Sequence, residues 1–354
     1  MIERLELNNF TAFAGINLEF SSKINIIIGE NSTGKTHLLK AAYGLCAGAP
    51  LFKNKPDTTS NELEAALTSK LLRLFLPLDD KLGKLHHQGA ADKAYMYARF
   101  ALGNKVALNF FKNSQILTIG RRFNFSQGQP EAVFIPTKEV ISFMKGFNSL
   151  YEKYELSFDQ TYQDICLLLD LPAVRPENLH EKSKWAMENI EGICGGSFVF
   201  HGGGKVTFKT KSAEYSANVM AEGFRKLGML SRLLETGAIQ PGVGGPLFWD
   251  EPEANLNRKL LKLLVQILLE LSRNGQQVIL ATHDYVLLKW FDLLMDTGKD
   301  DHVRFHSLYH DLDNSEIRVA STDDYHSIMP NPIDEAFGEL INQEIENEMG
   351  GLGK

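Results

Sequence analysis

A short β-branched apolar run, Ile24 to Ile28, ends in Gly29-Glu30-Asn31-Ser32-Thr33-Gly34-Lys35-Thr36, and an apolar helix pattern follows through Leu38, Leu39, Ala42 and Leu45. The eight residues fit the pattern G-x-x-x-x-G-K-T. Few features constrain a chain more. A buried strand must end, the backbone must turn through glycine conformations closed to other residues, and a helix must start at once. Successive amides of such a loop point inward and hold anionic oxygens, and the helix start adds its partial positive charge. Gly29, Asn31, Ser32, Thr33, Gly34, Lys35 and Thr36 are therefore candidate phosphate-binding residues. In that role Lys35 reaches the β- and γ-phosphates of ATP, and Thr36 offers its hydroxyl to Mg²⁺. Average residue usage produces this pattern by chance in on the order of one per cent of chains this long.

Two further strand ends carry chemistry. Leu247-Phe248-Trp249 is apolar and stops at Asp250-Glu251. Asp250 suits a Mg²⁺ site, and Glu251, one residue on, suits a base that polarises an attacking water. Taken alone, an acidic pair before Pro252 is as well explained as a helix cap. The strand Val278 to Ala281 ends in Thr282-His283-Asp284. Ligands of open α/β sheets bind at the carboxyl ends of strands. His283 at such an edge can contact a γ-phosphate, so Lys35, Glu251 and His283 form the candidate catalytic set.

The rest of the chain sets the frame. Residues 2 to 28 read as three strands. Proline and polar residues between 49 and 65 mark the start of an insertion. Within it, Glu62 to Phe75 reads as a helix, Tyr95 to Phe111 and Ser114 to Phe123 as antiparallel strands, and Phe134-Ile135-Pro136 as a short strand. Lys138 to Leu169 and His180 to Ile190 read as helices, and Ser197 to Lys209 as a hairpin across Gly202-Gly203-Gly204. Helices over about Glu222 to Glu235 and Arg258 to Arg273 flank the acidic strand. Strand signals at Val303 to Leu308 and Glu316 to Val319 precede an acidic helix, about Pro332 to Glu348. The expected division is a discontinuous head, 1–48 plus 197–354, and an insert, 49–196, with strands about 95–136 and helices about 138–190.

The order of phosphate loop, Asp250-Glu251-Pro252-Glu253-Ala254-Asn255-Leu256-Asn257 and Thr282-His283-Asp284 resembles ABC-type P-loop ATPases of the SMC/RecF/OLD-like branch. Asn9-Phe10 resembles that branch's opening strand. Ala221-Glu222-Gly223-Phe224-Arg225-Lys226 stands where the family's signature would lie, with Ala221 in place of its serine. Asn257 replaces the D-loop aspartate, and Thr11 replaces an arginine of the first strand. Gln127 and Gln129 are candidates for the Q-loop glutamine, and Phe134 to Thr137 is the alternative for that region. The resemblance implies an α/β ATPase head with a mixed sheet and a mainly helical arm domain. It implies ATP and Mg²⁺ as cofactors, metal contacts at Thr36 and Asp250, and nucleotide contacts at Glu222 and Gly223 across a homodimer. Lys35 and Glu222 stand 187 positions apart (222 − 35), and Pro136, Pro172 and Pro176 interrupt the interval, so the arm is compact and not a long coiled coil.

Composition narrows the partners. Among 354 residues the formal net charge is −7, so a global basic field for nucleic acid is absent and DNA or RNA would need a local patch. Three scattered cysteines, Cys46, Cys166 and Cys194, read as reduced thiols of a cytoplasmic protein. No signal peptide or membrane span is expected. Expected partners are a second copy of the chain, a higher oligomer, an effector protein encoded nearby, and DNA or RNA. The function implied by the resemblance is an ATP-hydrolysing switch in DNA repair or anti-phage defence. The alternative is the ATP-binding subunit of an ABC transporter, and a small-molecule P-loop kinase is disfavoured. His302, His306 and His310 do not form a metal set, because residues four apart on a strand stand roughly 13 Å apart. His180-Glu181 is read as a helix start. Lys205, Lys209 and Lys211 are read as a solvated face.

Overall fold

The computed structural model describes residues 1–48, 60–120, 130–154, 156–311 and 316–351. Gln127, Gln129 and residues 49–59 of the expected 49–65 loop lie outside these residues; residues 60–65 belong to a helix.

The central sheet follows from the apolar runs. β3 (Ile24–Gly29), β7 (Val133–Ile135), β11 (Leu247–Asp250), β12 (Val278–Ala281) and β13 (Val303–His310) pair in parallel, and β14 (Ile317–Thr322) closes one edge antiparallel. The strand order is β14-β13-β3-β12-β11-β7. Strands buried on both faces need apolar residues at every position, which is why these runs do not alternate with polar residues. Alternate side chains still face opposite ways. Ile24, Ile26, Ile28, Trp249 and Leu280 enter one core, while Ile27, Phe134, Phe248 and Ile279 enter the other.

The first core lies under helices α3 (Phe147–Lys153), α4 (Gln160–Leu169), α5 (Glu181–Cys194), α6 (Glu222–Glu235), α7 (Arg258–Arg273) and α8 (Tyr285–Leu294). The second is closed by a five-stranded sheet of order β2-β1-β4-β5-β6, with α1 (Lys35–Ala47) and α2 (Ser60–Phe75) between the layers. Here β1 is Ile2–Phe10, β2 Phe13–Glu19, β4 Ala94–Phe100, β5 Lys105–Phe110 and β6 Thr118–Ile119. A third sheet, β10-β9-β8, joins Glu214–Ser216, Val206–Lys209 and Ser197–Phe200. The final helix, α9 (Pro332–Gly351), packs through its first turns, where Phe337 stacks on Tyr285 at 3.9 Å between ring centroids.

Two expectations need correction. The helix expected over Lys138 to Leu169 is interrupted. Glu139 accepts a hydrogen bond from Ser142 N at 3.1 Å, Gly146 takes a left-handed conformation (φ +75°), and Asp159 caps α4 by accepting from Thr161 N at 2.9 Å. Strands expected within an insert join the head's own sheets: β4 pairs with β1, and β7 pairs with β11. The apolar pattern of α8 and the edge strand β10 went unassigned. By contrast, His180 does start a helix, its Nδ1 accepting from Lys182 N at 3.1 Å.

Candidate active site

Pairing in register sets the site. Ile27, Ala281 and Asp250 align across β3, β12 and β11, so the next residues of each strand emerge at one edge. From β3 emerges the phosphate loop. Gly29 (φ +150°) passes β13 so closely that a Cβ there would lie 2.4 Å from Leu308 O. Gly34 (φ +84°) packs on Phe13, where a Cβ would meet the ring at 2.8 Å. Both glycines are therefore required for conformation and for space. Ser32 is also left-handed (φ +67°), and Thr33, fully buried, donates Oγ1–H to Glu30 O at 2.8 Å. Glu30, Asn31 and Ser32 form the exposed tip.

Lys35 folds back over this loop, with Nζ 2.7 Å from Gly29 O and 2.8 Å from Glu30 O. Burial lowers its pKa, and the charges of Glu251, Asp250 and Glu253 oppose that shift. No side chain caps the N-terminus of α1. An uncapped, glycine-started helix end beside a half-buried ammonium fits a phosphate group.

Thr36 Oγ1 donates to Asp250 Oδ2 at 2.8 Å. Asp250 is buried, and its burial raises the pKa while bonds from Thr36 and Thr137 pull it down. A hydroxyl and a carboxylate in contact are the hard oxygen donors that Mg²⁺ takes from protein, the remainder coming from water and phosphate. Among the described residues no group of three or more His, Cys, Asp or Glu is placed to hold a metal ion. Thr137 belongs to the Phe134–Thr137 segment, so that segment, at the end of β7, reaches the site.

Glu251 continues β11 but leaves it in a left-handed conformation (φ +47°). Its N–H still bonds Ala281 O at 2.9 Å, and its carbonyl accepts from Lys226 Nζ at 2.7 Å. The two bonds fix its backbone in a region that costs a non-glycine residue on the order of 1–2 kcal/mol. His283 Nδ1 stands 3.4 Å from Glu251 Oε1 and 3.7 Å from Glu253 Oε1. Glu253 is buried and accepts from Thr282 Oγ1 at 2.7 Å and His283 N at 3.1 Å, tying the end of β12 to the turn after β11.

Glu222 and Gly223 sit at the N-terminus of α6, against this same turn. Asn255 Nδ2 donates to Glu222 Oε1 at 2.8 Å, and a Cβ on Gly223 would lie 2.9 Å from Asn255 O. Asn257 caps α7, accepting from Lys259 N at 3.0 Å. The structure thus gathers Lys35, Thr36, Asp250, Glu251 and His283 at one sheet edge. It places Glu222 and Gly223 on the adjoining helix end, against Asn255 and not against the phosphate loop.

Two groups here escaped sequence reasoning. Lys226 is 1% exposed, with Nζ also 3.2 Å from Ala254 O, and burial pushes its pKa down to about 8. Its signal was a lysine on the apolar face of a helix, between Gly223 and Leu230. Glu139, also buried, pairs with Arg225 Nε at 2.8 Å and links the segment after β7 to α6. No sequence spacing announces that pair.

Known proteins resemble this arrangement in parts. A family model described as "AAA ATPase domain" matches residues 1–165. Another, described as "AAA domain, putative AbiEii toxin, Type IV TA system", matches residues 207–289. The chain is similar to the DNA replication and repair protein RecF of Bacillus cytotoxicus, 40% identical over 63 residues, or 18% of this chain and 15% of that protein. RecF of Ligilactobacillus salivarius is 29% identical over 96 residues, 24% of this chain and 25% of that protein. The chain therefore aligns with a quarter or less of the length of these relatives. A solved Smc head, bound to the C-winged helix domain of ScpA, shares the fold at TM-score 0.52 and 13% identity, covering 91% of this chain and 97% of that one. In its motif-bearing ends and the sheet that joins them, the chain is similar to P-loop ATPases of the SMC/RecF-like, ABC type.

Proposed function

We propose that the protein is a Mg²⁺-dependent, ATP-hydrolysing switch that forms a homodimer around ATP. The observation that carries this reading is the Thr36–Asp250 hydrogen bond, with Glu251 and His283 at the same strand ends. When bound, Mg²⁺ supplies charge neutralisation on the β- and γ-phosphates. Thr36 and Asp250 would hold it, and Lys35 would exchange the carbonyls of Gly29 and Glu30 for phosphate oxygens. Glu251, partly exposed beside His283, accepts a proton from water and so activates it for attack. Glu253 holds the backbone of His283 in place, and Lys226 holds that of Glu251.

The exposed loop tip and the uncapped end of α6 suit a site completed by a second copy, with Glu222 and Gly223 facing the nucleotide of the partner. Closure then depends on the γ-phosphate, and hydrolysis reopens the dimer. The arm on this reading is the helical stretch of residues 138–196. Local similarity to RecF supports a cytoplasmic role in DNA repair. The family description that names a toxin keeps anti-phage defence, through a partner effector, as the other setting. No observation favours the transporter reading, and no described helix is long and apolar enough to cross a membrane.

Phosphate release from Mg²⁺-ATP tests the proposal. The wild type should turn over and Glu251→Gln should fall by 100-fold or more while still binding ATP. Equal rates in the two proteins would remove Glu251 from the mechanism.

A further inference from the structure

Helix α9 leaves the body after Phe337. From Glu339 to Met349 every side chain is exposed. They extend a helix whose first turns are packed on the body, so its nucleus is already formed. Leu340, Ile341, Ile345 and Met349 are nonetheless 64%, 39%, 47% and 67% exposed, and Ile341, Ile345 and Met349 lie in one row at i, i+4 spacing. The helix carries Asp334, Glu335, Glu339, Glu344, Glu346 and Glu348 and no basic residue. Glu344 and Glu348, three positions on from Ile341 and Ile345, border the apolar row. Such a helix face matches an apolar groove with a basic rim. It does not match another α9, whose acids would stand against its own.

The body of the chain presents a cleft with two apolar residues on its floor and a basic side. Between α5 and α7 lies an open cleft of about 600 Å³. Its lining includes Ile193, 42% exposed, and Leu263, with Lys259 and Lys262 on the α7 side and Glu188 as its one acid. Among the described residues neither lysine has a carboxylate partner; Lys262 rests over the Trp290 ring at 5.1 Å. The lengths agree. Ile341 to Met349 spans about 12 Å of helix, and Lys259 to Gln266 about 10 Å. Because α9 is continuous and exposed from Glu339 to Met349, and none of its residues lines the α5–α7 cleft, it does not occupy its own groove.

We propose that α9 of one copy docks in the α5–α7 groove of a second copy. Its apolar row covers Ile193 and Leu263, and its glutamates meet Lys259 and Lys262. The contact joins two different surfaces, so it gives a reciprocal pair, a ring or, where the rotation does not close, an open filament. It involves no nucleotide and stands apart from the ATP-dependent dimer proposed above.

Sedimentation velocity of the full chain, without nucleotide and at low salt, tests it. The wild type should self-associate, and about 0.5 M salt should weaken the association tenfold or more. The doubles Glu344→Lys/Glu348→Lys and Lys259→Glu/Lys262→Glu should each be monomeric, and an equimolar mixture of the two should associate again. As a second measurement, Ile345→Cys mixed with Ile193→Cys should form a disulfide between copies, the native cysteines all being buried. A wild type that stays monomeric up to about 100 μM, doubles that associate like the wild type, a mixture that stays monomeric, or no disulfide between copies would each overturn the proposal.

Discussion

Replacing Lys226 with Met tests how the acidic turn is held. Met matches the length of the buried stem, so little cavity forms. What is lost is the pair of donors to Glu251 O and Ala254 O, at 2.7 and 3.2 Å. Ala254 O then lacks a donor, at about 1–3 kcal/mol, while Glu251 O keeps only the N–H of Ala254, at 3.1 Å. Against this, burial disfavours the charged amine and lowers its pKa from 10.5 to about 8. The sign follows from proton counting. Between about pH 8 and 10.5 the unfolded chain holds the proton and the folded chain does not, so stability rises with pH in that window. The amine keeps both donors when neutral. Between pH 7.5 and 10 the linkage amounts to about 2 kcal/mol. Urea unfolding at pH 7.5, 9 and 10 should show the wild type gaining about 2 kcal/mol over Lys226→Met as pH rises. Turnover by the variant should fall at least tenfold with ATP affinity within threefold, because the Glu251 carbonyl loses its shortest bond. A stability difference that is flat with pH, or an unchanged turnover, would refute the reasoning.

Other substitutions probe the phosphate loop and the metal contact. Lys35→Ala should weaken ATP binding by 100-fold or more in equilibrium titration without changing the circular dichroism spectrum. Gly34→Ala places a Cβ 2.8 Å from the Phe13 ring at φ +84°, so it should cost about 1–3 kcal/mol in urea unfolding and abolish binding. Asp250→Asn keeps the size of the side chain but not its charge, and should raise the Mg²⁺ concentration for half-maximal turnover by tenfold or more.

Much of the site was legible because its residues terminate buried parallel strands. A run such as Leu247-Phe248-Trp249 reads clearly, and the polar residues that stop it are the ones that reach the sheet edge. Long-range contacts were not legible. Val140, Ile141 and Met144 carry helical spacing, yet they are buried in turns. There Glu139 bonds the local backbone and pairs with Arg225, so tertiary contact overrides the local pattern. The strand Glu214–Ser216 is exposed throughout and lacks the alternation that marks a strand. Pairing of β4 with β1 joins residues nearly a hundred positions apart, which no local pattern encodes. Glu253 was visible within the acidic motif, but its hold on Thr282 and His283 depends on strand register.

The central claim is that ATP closes two copies of this chain and that hydrolysis reopens them. Light scattering of Glu251→Gln on a sizing column, with and without Mg²⁺-ATP, tests it most directly. A chain of 39.7 kDa should elute near twice that mass with Mg²⁺-ATP, even when salt and α9 substitutions have removed other association, and should revert with ADP. A mass that stays at one chain in saturating Mg²⁺-ATP at high protein concentration would contradict the account.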